Sequence, residues 1–132
     1  MKGCIQFSII FLIITACNVQ DYEWKTLEVT ATAYNSLASQ TDNDPHITAF
    51  GDSLIPGKRY IAVSRDLLAI GLVHNTPILI EGFDGIYLVK DKMNRRWTNR
   101  IDIYMDESVK KAREWGKRIV TIKYRIKTEK AQ

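Results

Sequence analysis

From Thr26 the chain alternates: Leu27, Val29, Ala31 and Ala33 fall on one face, Glu28, Thr30 and Thr32 on the other. Period-two alternation rich in β-branched residues specifies a half-buried strand, because successive side chains of a pleated strand point to opposite sides. The pattern returns near the end, with Val120, Ile122, Tyr124 and Ile126 facing in and Lys123 and Arg125 facing out. Between them, 60–63, 77–83, 86–93 and 101–105 read as further short strands. Asp84-Gly85 suits a two-residue hairpin turn, whose central positions both need positive φ. Residues 66–71 read as a helical turn or a wide loop closed by Gly71. The one convincing helix is 106–115. Asp106 or Ser108 can cap it, Val109 and Ala112 share a face, and Gly116 can end it. Many short strands with one helix predict a mainly β chain closed into a small barrel, not a parallel α/β sheet.

The barrel pattern accounts for residues 26–126. Ahead of it, Lys2 is followed by an apolar run from Ile5 to Ile14 that ends in Thr15-Ala16-Cys17. The run is too short to span a bilayer comfortably. A positive start, an apolar middle and small residues at the end mark an export signal over residues 1–16. Ile14-Thr15-Ala16-Cys17 also resembles a bacterial lipobox, in which cleavage precedes a cysteine that is then acylated; the alternative is a plain cleaved signal with an incidental cysteine. The chain holds two cysteines, Cys4 and Cys17. With Cys4 in the discarded segment, Cys17 is left as a lone thiol in an oxidising compartment unless acylation consumes it. The mature domain therefore has no disulfide, and its core must hold it. Residues 17–25 read as a tether and 127–132 as a tail.

Apolar residues make up 45% and charged residues 26% of the 132 positions, which suits a single folded domain and excludes a disordered chain. The net charge of +4 is concentrated late, in Lys110, Lys111, Arg113, Lys117, Arg118, Lys123, Arg125, Lys127 and Lys130. Most of these fall on the expected solvent face of the helix or last strand, so the excess does not imply a nucleic-acid partner. His46 and His74 lie far apart with no cysteine between them in a zinc-binding spacing, and no phosphate-binding glycine loop or Gly-x-Ser-x-Gly is present. No metal or cofactor is expected, and a monomer is.

Carboxylates remain. Asp91 interrupts the strand that begins at Ile86, and strict alternation puts it on the face of Tyr87 and Val89. Asp102 lies between Ile101 and Ile103, on the face of Tyr104. A carboxylate inside a short apolar strand is costly unless paired, hydrogen-bonded or neutral, and functional sites tolerate that cost. The alternative is that Asp102 sits solvated on the outer face.

Several segments resemble the three-aspartate (3D) domain of peptidoglycan-cleaving proteins. They are Val29-Thr30-Ala31-Thr32-Ala33-Tyr34-Asn35, Thr48-Ala49-Phe50-Gly51, Ile61-Ala62-Val63, Val89-Lys90-Asp91, Asn99-Arg100-Ile101-Asp102-Ile103-Tyr104 and Ala112-Arg113-Glu114-Trp115-Gly116. The resemblance implies a double-psi β-barrel of six or seven strands. It also implies lytic transglycosylase activity on the MurNAc-GlcNAc bond, giving a 1,6-anhydro product. Asp102 would be the acid/base and Asp91 the neighbour that tunes it. Thr32, Tyr34, Thr48, Ser64, Trp97, Arg100 and Tyr104 would line the glycan groove. The implied partner is peptidoglycan, and the implied location is the periplasmic face of the outer membrane, reached through lipidated Cys17.

Two departures keep a non-catalytic glycan-binding barrel open as the alternative. Ser64 follows Ala62-Val63 where the family has its first aspartate, with Asp66 two positions on. The glycines that follow the family's second aspartate are replaced by Met93, Asn94, Arg95, Arg96 and Trp97. Trp97, in a polar loop, is the best candidate for sugar stacking; Tyr87 is better read as core.

Overall fold

A computed structural model describes residues 20–35, 47–106 and 108–128. The stretches read as the export signal, with Cys17, and most of the tail lie outside the described residues. Six strands, β1 (Tyr22–Tyr34), β2 (Tyr60–Val63), β3 (Pro77–Ile80), β4 (Tyr87–Lys92), β5 (Arg100–Tyr104) and β6 (Arg118–Lys127), close into a barrel in the order β1-β5-β2-β4-β3-β6. β1 runs parallel to β5, and β2 parallel to β4; the other neighbours are antiparallel. The chain is thus the expected small double-psi barrel, with six strands. Among the described residues no helix is long and apolar enough to cross a membrane.

The barrel interior is apolar and takes one residue in two from each wall: Val29 and Ala31, Ile61 and Val63, Ile78 and Ile80, Tyr87 and Val89, Ile101 and Ile103, Val120, Ile122 and Tyr124. Alternation therefore assigns the inward face as the sequence predicts, and Tyr87 is core. Two boundaries move. β1 begins at Tyr22, so the stretch read as tether is partly strand: Tyr22–Lys25 pair with residues of β6, which itself reaches Lys127. Of the interior strands β2 keeps its predicted limits, β3 and β4 fall inside theirs, and β5 is shifted one residue earlier.

Three local expectations change. The link between β3 and β4 is not a two-residue hairpin. Gly82 and Gly85 have positive φ, Asp84 does not, and Phe83 donates its N–H to Ile80 O. The longer link lets Phe83 pack against Trp115 and Tyr87, with ring centroids 4.9 and 5.7 Å away. The helical reading of residues 66–71 holds, in a short helix, α1 (Arg65–Ala69), that starts one residue earlier, so the C-terminal helix is not the only one. That helix, α2 (Val109–Trp115), starts after Asp106, which has φ 55°. Ser108 is its cap, accepting from the Lys111 N–H, while Asp106 accepts from the Gly57 N–H instead. Gly116, at φ 66°, ends it as expected.

Candidate functional site

Register builds the site. Thr32 of β1 pairs with Asp102 of β5, Asp102 with Ala62 of β2, and Ala62 with Asp91 of β4. Directly paired residues project to the same side of a sheet, so these four form one row across four strands. Their neighbours Ala31, Ile61 and Ile101 point into the core, so the row faces outward. Asp91 reaches that row only because the β2–β4 register slips between Ile61 and Ala62: Ile61 faces Val89, Ala62 faces Asp91, and Lys90 is the extra residue. This bulge overturns the strict alternation expected for Asp91, which leaves the face of Tyr87 and Val89 and joins that of Asp102. Bulges re-aim side chains in this way.

Two strand spacings put the backbones of Asp91 and Asp102 about 10 Å apart, with only the methyl of Ala62 between them. The two carboxyls line one cleft of about 220 Å³ with Tyr34, Ala62, Lys92, Met93, Asn94 and Trp97. Burial pushes the Asp102 carboxyl up from 3.8 to about 6. The Thr32 hydroxyl, which donates to its Oδ1 at 3.0 Å, and the Arg100 charge pull the other way, and Asp91 adds a smaller upward push. Asp91 is also raised by burial, but the N–H groups of Ala49 at 2.7 Å and Lys92 at 2.8 Å donate to its Oδ1 and favour the ionised form. One carboxyl thus has two backbone donors and the other a single hydroxyl. That difference makes Asp91 the better anion and Asp102 the better proton carrier at neutral pH. The Asp102 carboxyl is half-buried in this cleft and not the solvated outer-face residue of the alternative reading.

Tyr34 forms another wall. Burial, then the charges of Asp91 and Asp102, hold its phenol far above the ordinary value, so it stays neutral. Its buried hydroxyl has no hydrogen-bond partner among the described residues. The loop carrying Trp97 is fastened without glycines: Arg96 N–H donates to Asn94 Oδ1, Trp97 N–H to Asn94 O, Arg65 Nε to Met93 O, and Asn99 N–H to Asp66 Oδ2.

The remaining expected site residues divide. Trp97 lines the cleft, but the Arg100 guanidinium covers its ring at 3.9 Å and that of Arg96 lies at 4.7 Å, so it is not a bare stacking platform. Arg100 is itself buried beneath Trp97. Ser64 is fully buried; its hydroxyl accepts from the Arg100 N–H at 2.9 Å, locking β2 to β5 away from the cleft. Asp66 does not replace a missing carboxylate there, because its side chain is spent on the loop at Asn99. Thr48 closes a turn, its hydroxyl accepting from the Asp52 N–H. Tyr104 is buried behind Tyr34, with ring centroids 5.5 Å apart, and does not line the cleft. Sequence reading missed Ala62, Lys92, Met93 and Asn94. It also missed an ionic cluster beside the cleft in which Asp52 accepts from His74 Nε2 and, at 3.3 Å, from Lys90 Nζ. A small residue in the strand next to two carboxylates was the available signal for Ala62; nothing in the sequence announces the bulge. Among the described residues no group of three metal-ligating side chains occurs.

No family model and no curated protein matches the sequence. Solved structures with a similar backbone include the apo expansin of Clavibacter michiganensis, at 17% identity and a TM-score of 0.47. Another is a mutant of that expansin in complex with cellohexaose, at 14% identity and a TM-score of 0.46. In each case 82% of this chain is covered but 52% of the other, so the chain spans about half the length of the structures it matches.

Proposed function

We propose that this cleft binds a cell-wall glycan strand, and that the chain does so as an exported protein held to a membrane by lipidated Cys17, on the periplasmic face of an outer membrane. The observation that carries the reading is the mixture of groups lining one small opening: the two carboxyls of Asp91 and Asp102 beside the polar side chains of Lys92 and Asn94 and the rings of Tyr34 and Trp97. Sugar hydroxyls both donate and accept, so a polysaccharide suits carboxyls, an ammonium and an amide in one opening. The motif resemblance to three-aspartate domains narrows the polysaccharide to peptidoglycan.

A second reading, lytic transglycosylase chemistry, is favoured by the unequal carboxyls. Near pH 6 a large share of Asp102 is protonated, which a general acid requires. Asp102 gives its proton to the glycosidic oxygen as the C1–O bond breaks. The resulting carboxylate then takes the proton of the sugar's 6-hydroxyl as that oxygen closes onto C1, leaving the anhydro ring and a regenerated acid. Asp91, ionised, stabilises the positive charge that develops at C1. Incubation of the mature protein with purified sacculi separates the readings. Sedimentation with sacculi plus release of anhydro-muropeptides supports cleavage. Sedimentation without product supports binding alone. Absence of both overturns the glycan assignment.

A further inference from the structure

The turn at residues 48–52 makes contact with the cleft at one point and is tied down at another. Its inner bonds are Thr48 N–H to Asp52 O at 2.8 Å, Gly51 N–H to Thr48 O at 2.9 Å, and Asp52 N–H to the Thr48 hydroxyl at 3.1 Å. Gly51 has φ 84°, a conformation that favours glycine. At its tip the Ala49 N–H points onto Asp91 Oδ1. At its base the Asp52 carboxylate is fastened to His74 Nε2 and to Lys90 Nζ. Phe50 packs on the His74 ring at 5.0 Å, with Lys92 Nζ 5.7 Å from its centroid. Lys90 is the residue that the β4 bulge inserts, so the irregularity that turns Asp91 into the cleft also supplies the anchor of the turn that meets it.

We propose that Asp52 is a positioning residue of the cleft: through the turn at 48–52 it holds the Ala49 amide on the Asp91 carboxylate. The inference rests on the glycan-cleft reading only in treating Asp91 and Asp102 as the working pair. Without the anchor the turn has its own hydrogen bonds but nothing to aim its tip. Asp91 then keeps one backbone donor, Lys92; the lost amide disfavours its ionised form while the lost Asp52 charge favours it, so the Ala49 amide itself is the direct readout. The charged and titratable groups acting on Asp91 are Lys92 from its own strand, Asp52 from the turn, Asp102 from β5 and Tyr34 from β1; His74 and Lys90 act on Asp52.

The test uses ligand-free mature protein, so its failure is distinct from failure to bind glycan. In the native protein the Ala49 amide resonance should follow the Asp91 titration. In Asp52→Ala that dependence should disappear, and the Ala49 amide should exchange about tenfold faster or more, while the amides of Val29 and Ala31 in the barrel wall keep their protection. Asp52→Asn, which keeps one acceptor oxygen for Lys90 and can donate its amide N–H to a neutral His74 ring, should recover part of the Ala49 signal. The proposal is overturned if Ala49 is unchanged in Asp52→Ala. It is equally overturned if Val29 and Ala31 lose protection in step with Ala49, since Asp52 would then be a general contributor to stability.

Discussion

β1 and β6 pair antiparallel from Tyr22 with Lys127 to Ala31 with Arg118 without a slip, whereas β2 meets β4 over four positions and slips once. In the first wall Val29, Ala31, Val120, Ile122 and Tyr124 face the core and the other phase faces water, where Tyr22, Trp24 and Ile119 are exposed. In the second, Asp91 and Asp102 face a cleft in which both are desolvated, and Ser64 and Arg100 are buried between the strands. The regular wall is what a small domain without a disulfide needs for stability. The irregular wall carries buried polar groups that cost free energy unless they are hydrogen-bonded, and it lines the candidate cleft. If the comparison is right, substitutions in the irregular wall should change function more than stability, and substitutions in the regular wall the reverse.

The largest expected effect is on the cleavage proposed as the second reading of the cleft. Asp102→Asn keeps an oxygen that can accept from Thr32 but cannot cycle a proton, so anhydro-muropeptide release should fall about 10²–10⁴-fold. Product analysis of digested sacculi checks this, and an unchanged rate removes Asp102 from the reaction. The counterpart in the regular wall is Ile122→Ala. Ile122 is fully buried in the core, so the substitution should cost about 2–5 kcal/mol through lost burial and the cavity left behind. Urea denaturation measures it, and sacculus binding should persist under conditions where the variant remains folded. A cost well under 1 kcal/mol would mean that this wall does not bear the load assigned to it.

The smallest effect lets one residue contrast the two roles. The folded value of Asp102 lies above its unfolded one, about 6 against 3.8. The folded state therefore binds the proton more tightly. The stabilisation this brings is complete below pH 3.8 and is lost as pH rises through 6. Asn has no such dependence, so native protein should lose about 1–3 kcal/mol relative to Asp102→Asn between pH 4 and pH 7. Denaturation of both proteins at the two pH values isolates this group, because the other titrating carboxyls are common to both. A constant difference would show that Asp102 is not held in a desolvating site.

Much of the barrel is legible in the residues themselves. The alternation of Val29 and Ala31, of Ile61 and Val63, and of Val120, Ile122 and Tyr124 assigns the inward face strand by strand, because a period of two has only two phases and one of them is apolar. Asp102 is legible for the same reason: it is a charge between two isoleucines, on the phase that does not enter the core. The Ser108 cap and Gly116 stop of α2 are readable because capping depends on residues close in sequence.

What only the tertiary structure decided has long-range causes. No residue near Asp91 states that the β2–β4 register will slip between Ile61 and Ala62, because a bulge depends on two strands at once; yet that slip carries Asp91 from the core face to the cleft. Ala62, Asp52 and His74 are ordinary in sequence and acquire roles only through partners distant along the chain. Arg100 and Tyr104 belong to the motif and Ser64 stands where it departs, but all three are spent on holding β2, β5 and Tyr34 in place. A pattern of residue types determines which face of each strand is buried. Which strand lies beside which, and in what register, determines which of the exposed groups meet.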